Sequence, residues 1–168
     1  GPSPDDARFK YLWPQMRTLK ADVVDEHSYA KPDWFFDAAH RYDSYDRSGP
    51  KVFMGEYAAQ SVAVVSVKNR NNFECALSEA AFMTGLERNA DVVRMASYAP
   101  LFAHVDAWQW TPNLIWTDNL RTLLTPNYHV QRLFARNRGD RVVPVTLGGL
   151  AADEAKRTYA SAVLDDAA

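Results

Sequence analysis

Apolar residues recur along this chain at two alternating periods. Phe9, Leu12, Trp13, Met16 and Leu19 fall at helical spacing, and residues 21–27 then read as a short buried strand ending in polar side chains. Pro32 suits a first helical position, and Trp34, Phe35, Ala38, Ala39 and Tyr42 mark an apolar stripe that ends near Ser48, Gly49 and Pro50. Residues 51–57 form a second predicted strand. Phe73, Ala76, Leu77, Ala80 and Ala81 define an amphipathic helix ending near Asn89, and residues 92–98 a third strand. Strands alternating with helices at these intervals predict parallel βα units with helices covering the sheet.

From Pro100 to Pro126 the chain is rich in Trp, Pro and Asn and has little periodicity, so a long loop is expected. A last helix, capped by Asn127, should run through Leu133 and Phe134 toward Gly139. Residues 141–147 and 158–164 read as two strands with no helix between them. The expected division is therefore an α/β part, residues 1–139, and a β-rich part, residues 140–168. Three βα units do not close a barrel, and a doubly wound sheet would want a phosphate loop, which none of the 7 glycines provides. The pattern favours part of a (β/α)8 barrel.

Composition narrows the function classes. With 168 residues, 47% hydrophobic and 12% aromatic, the chain can bury a core of ordinary size. A charged fraction of 24% and a net charge of -2 argue against a nucleic-acid surface. The apolar run 62–67 is far short of the roughly 20 residues that cross a bilayer, so no membrane span is expected. The opening Gly1-Pro2-Ser3-Pro4-Asp5 carries no leader pattern and reads as a trimmed tag or an internal cut. The single cysteine, Cys75, reads as a small buried side chain, and no intrachain disulfide can form.

In parallel α/β folds the reacting groups gather at the C-terminal ends of the strands. Glu56 follows the apolar Val52-Phe53-Met54, where a carboxylate is costly unless partners hydrogen-bond it. An ion pair or a cap would explain it; so would catalysis, and Gly55 beside it permits close approach. His27 and Tyr29 lie two apart on an extended segment and point to one side, as pocket-lining or as structural residues. The four histidines show no metal-ligand spacing, the serines lack a G-x-S-x-G context, and no cofactor is implied. Trp108, Trp110 and Trp116 suit either stacking on sugar faces or packing of their own loop.

Several segments are more specific than the pattern. Asp25-Glu26-His27-Ser28-Tyr29, the stretch from Gly49 to Ala58 containing Met54-Gly55-Glu56-Tyr57, and the helix segment from Ala76 to Asn89 resemble the α-L-arabinofuranosidases of glycoside hydrolase family 51. So do Met95 to Phe102 and Thr125 to Gln131. The resemblance runs in the family's order over roughly residues 8 to 165.

It implies strands six to eight of a (β/α)8 barrel followed by the first strands of a β-sandwich. It implies that Glu56, in the Gly-Glu-Tyr motif, is the nucleophile of a double displacement. His27 and Tyr29 would contact the sugar, with Glu26, Trp108 and Trp110 as further substrate contacts. The expected partners are arabinose-containing polysaccharides or oligosaccharides such as arabinan and arabinoxylan, and the remainder of the barrel or a second copy of the chain. A secreted or periplasmic place is favoured over a cytoplasmic one. An endo-glucanase or xylanase of the same family, or a catalytically silent sugar-binding or assembly segment, are the alternatives.

Two departures stand out. The family's acid/base glutamate sits in an Asn-Glu pair that this chain lacks, whereas retention requires two carboxyl groups about 5–5.5 Å apart. The run 61–67 is also more apolar than expected beside the nucleophile, which puts the shape of that side of the cleft in question.

Overall fold

The computed structural model describes residues 6–167. Helix α1 (Ala7–Thr18) is capped by the Asp6 carboxylate, which accepts from Phe9 N at 2.7 Å. Strand β1 (Val23–Ala30) follows, then α2 (Pro32–Asp37), which continues as a 3-10 turn over Ala38–Ser44. After β2 (Lys51–Ala59), α3 (Phe73–Arg88) starts at Asn72, whose side chain accepts from Cys75 N at 2.8 Å. Strand β3 (Val93–Tyr98) completes a parallel three-stranded sheet in the order β1-β2-β3.

The core lies on one face of this sheet. Val52, Met54 and Tyr57 from β2 meet Phe35, Tyr42 and Phe82 from the helical layer, all essentially without exposed surface. Phe82 stands edge-on to Phe35, with ring centroids 5.3 Å apart, and against Tyr57 at 5.8 Å. Each such side chain contributes about 1.5–3 kcal/mol through burial. The predicted βα alternation and the end of α3 at Asn89 agree with what is observed.

Three expectations change. The stretch 100–126 is not a plain loop: β4 (Phe102–His104), β5 (Ile115–Thr117) and β6 (Thr122–Leu124) form a second small sheet, parallel between β4 and β5 and antiparallel between β5 and β6. The last long helix, α4 (Pro126–Arg136), is capped by Thr125, not Asn127. Pro126 needs no N–H partner at the first position, and the Thr125 hydroxyl accepts from Tyr128 N at 3.3 Å, which leaves Asn127 buried inside. Finally β7 (Arg141–Val143) and β8 (Ala162–Leu164) fall within the two expected strand segments and pair antiparallel, but they are shorter, and a brief α5 (Ala152–Ala155) lies between them where no helix was expected.

Candidate functional site

The C-terminal half of β2 carries the site, and an irregularity aims it. Val52 and Met54 point into the core, so strict alternation would send Glu56 there as well. The register prevents this: Glu26 pairs with Met54 while the next residue, His27, pairs with Glu56, leaving Gly55 as one extra residue on β2. The bulge turns Glu56 to the open face, beside Asp25, His27 and Tyr29, and returns Tyr57 to the core. Ser97 of β3 satisfies the bulge by donating its hydroxyl to the Gly55 carbonyl at 2.5 Å.

Glu56 is held through one oxygen. The Tyr29 hydroxyl donates to Oε2 at 2.8 Å, and His27 Nδ1 lies 3.1 Å from the same atom. Oε1 takes no hydrogen bond among the described residues. The other His27 nitrogen, Nε2, lies 2.7 Å from Asp25 Oδ2. Half-burial, with the Glu56 hydrogen bond and charge, pushes the Tyr29 hydroxyl well above its usual range, so it stays a donor.

A cavity of about 400 Å³ opens over this carboxylate, a size in the range of small-ligand sites. Tyr29, Glu56, Gln60, Trp110 and Thr111 line it, with Val64 and Val65 forming an apolar wall. That wall belongs to the unexpectedly apolar run 61–67. Buried Asn69 folds it back, accepting from Val62 N at 2.8 Å and donating to Gln60 Oε1 at 2.6 Å and to the Ala63 carbonyl at 2.8 Å.

The structure thus brings Glu56, His27, Tyr29 and Trp110 together. Trp108 lies elsewhere: it faces a neighbouring cavity of about 620 Å³ with Trp116, Arg70 and Arg121, and Thr111 lines both cavities. Its ring meets Trp116 edge-on at 6.1 Å.

Glu26 must be reassigned on geometry. It points to the helical side, 2% exposed, and its carboxylate accepts from Trp13 Nε1 at 2.9 Å and from the Tyr42 and Tyr45 hydroxyls at 2.7 and 2.9 Å. Arg41 Nε lies 3.5 Å away. A buried carboxylate so committed has no face left for a sugar at Glu56, and it ties α1 and the 3-10 turn to β1. Asp25 and Gln60 were not singled out in the sequence. Asp25 lies two residues before His27, hence on the same strand face, and that spacing was the available signal.

Comparisons with known proteins bear on the whole segment. The family model for the α-L-arabinofuranosidase C-terminal domain matches residues 55–164. An extracellular exo-α-L-arabinofuranosidase of Streptomyces chartreusis is 54% identical over 143 residues, covering 84% of this chain and 16% of that protein. An α-L-arabinofuranosidase A of Aspergillus kawachii is 43% identical over 125 residues, 73% of this chain and 19% of the relative. Among solved structures, an arabinose-bound GH51 α-L-arabinofuranosidase superposes with a TM-score of 0.71 at 42% identity, over 76% of this chain and 22% of that one. The chain thus spans about a fifth or less of the length of these curated relatives.

Proposed function

The chain belongs to the GH51 α-L-arabinofuranosidase family, and we propose from this premise that it carries the nucleophile half of a retaining glycosidase that removes α-L-arabinofuranosyl residues from plant polysaccharides such as arabinan and arabinoxylan. The three parallel strands β1, β2 and β3 are then strands six to eight of a (β/α)8 barrel. The hairpin from Arg141 onward begins a β-sandwich, and residues 1–139 are the barrel part. The extracellular relative, and a substrate class found outside cells, favour secretion of the whole enzyme.

One observation carries the chemical reading: Glu56 Oε2 is anchored by Tyr29 and His27 while Oε1, beside an open cavity, takes no hydrogen bond among the described residues. A nucleophilic carboxylate needs one oxygen to hold its plane and another free to attack. In the first displacement Oε1 bonds to the anomeric carbon as the glycosidic C–O bond breaks. A carboxyl group outside this segment gives its proton to the departing oxygen. In the second, that same group takes a proton from water, which attacks the anomeric carbon and returns the electron pair to Glu56. Tyr29 stays protonated throughout and steadies the carboxylate charge. Trp110 and the Val64-Val65 wall supply an apolar surface to the sugar face.

In the complete enzyme, Glu56→Gln should lower turnover of p-nitrophenyl α-L-arabinofuranoside by about 10⁴-fold or more, the scale of losing a covalent nucleophile. Azide added to Glu56→Ala should restore turnover and yield the glycosyl azide of inverted configuration. Near-normal turnover by Glu56→Gln, or mechanism-based labelling of a different carboxylate, would overturn the reading.

A further inference from the structure

We infer that Asp25 is a positioning residue for the nucleophile, fixing the His27 ring so that Nδ1–H is aimed at Glu56 Oε2. This rests on the reading of Glu56 as nucleophile and adds a residue to it. The His27 imidazole spans two carboxylates, with Nε2 2.7 Å from Asp25 Oδ2 and Nδ1 3.1 Å from Glu56 Oε2. Rotation about the Cβ–Cγ bond would break both contacts. A ring nitrogen meets a carboxylate oxygen favourably only as a donor, so the Asp25 end decides how the ring is held at the Glu56 end.

Gly55 gives a second, independent indication. A Cβ built on it would stand 2.0 Å from Asp25 Oδ1 and 3.0 Å from its Cγ. The residue beside the nucleophile therefore lacks a side chain where Asp25 needs the space. Stability gives little reason for the arrangement. The Asp25 side chain is 46% exposed, and exposed ion pairs contribute about 0–1 kcal/mol.

The test is made in the complete enzyme that carries this segment, with kcat and KM measured on p-nitrophenyl α-L-arabinofuranoside and folding checked by thermal melting. Asp25→Ala should reduce kcat by about 10–100-fold, the usual scale for removing a group that orients a functional imidazole, with KM nearly unchanged. Asp25→Ser, whose hydroxyl is too short to reach Nε2, should do the same and serves if the alanine variant folds poorly. Asp25→Asn keeps an acceptor at the right reach and should recover much of the loss, as a role resting on the carboxylate charge alone would not allow. Gly55→Ala should mimic Asp25→Ala, and the double variant should be no worse than Gly55→Ala alone, because both changes displace the same carboxylate.

Wild-type kcat in Asp25→Ala or Asp25→Ser, a loss confined to KM, or no recovery in Asp25→Asn would overturn the inference. The two readings fail separately: an active Glu56→Gln removes the nucleophile assignment, whereas an inert Glu56→Gln with a fully active Asp25→Ala removes only the role of Asp25.

Discussion

Glu79 lies in the middle of α3 with no exposed surface, and its carboxyl accepts from Ala59 N at 2.8 Å, just past the site-bearing stretch of β2. Neither its Oε2 nor the nearby Asn127 Nδ2 closes a hydrogen bond of ordinary length. Burial pushes this carboxyl up to about 8, although the Ala59 amide and Asn127 pull it the other way. The unfolded value is the ordinary 4.5, so between the two the folded chain binds a proton that the unfolded chain has released. This contribution to stability is whole below the lower value and drains away as pH rises to the upper one, at about 1.4 kcal/mol per pH unit at most. Glu79→Gln keeps a carbonyl for the Ala59 amide and cannot titrate, so its melting temperature should fall less between pH 5 and pH 8 than that of the parent. Parallel curves for the two would show that Glu79 is ionised in the folded protein. Neither the burial of Glu79 nor that of Glu26 is legible in the sequence, where both look like ordinary acidic residues. Glu56 was legible as the carboxylate after an apolar strand, but the way it escapes the core was not: one glycine reverses the phase of β2.

At the scale of elements, the helices were legible from their apolar spacing and, at Pro32, from a proline at the boundary, whereas the capping side chains were not: the cap expected at Asn127 falls to Thr125. The 3-residue strands of the second sheet were not, since so short a run has no period to detect. Their partners are fixed by tertiary pairing, as in Phe102 with Ile115 and Ile115 with Leu124. How closely α3 approaches the 3-10 turn was equally hidden. A Cβ on Gly85 would lie 2.1 Å from the Ala39 carbonyl oxygen and 2.9 Å from its carbon, both backbone atoms that have no flexible end to yield. Gly85→Ala should therefore destabilise the protein by about 1–3 kcal/mol through overpacking, even though alanine is intrinsically the better helix former by nearly 1 kcal/mol. Urea unfolding checks the sign. A gain in stability would mean that the two backbones have room to separate.

For the molecule as a whole, the telling feature is a parallel sheet covered on one side. Helices bury the face carrying Val52 and Met54, whereas on the face carrying Asp25, His27 and Glu56 the two carboxylates are nearly half exposed. Val23 on β1 is 42% exposed and Met95 on β3 51%. Parallel sheets are ordinarily covered on both faces, and unpaired strand edges are templates for further pairing. The outer edges of β1 and β3 are free of strand partners among the described residues. Relatives five or six times longer than the matched stretch contain chain enough to cover both, and a closed barrel would do so with strands on either side. It follows that the segment expressed alone should elute as self-associated species in size-exclusion chromatography. Coexpression with the preceding part of the parent protein should give a 1:1 complex and raise the melting temperature by at least about 5 °C, equivalent to some 1–2 kcal/mol for a domain of this size. A lone monomer that melts at the same temperature with and without that part would mean the open edges carry no unmet pairing. The same complex is where the missing acid/base carboxyl should arrive, so glycosidase activity should appear with it and in neither part alone.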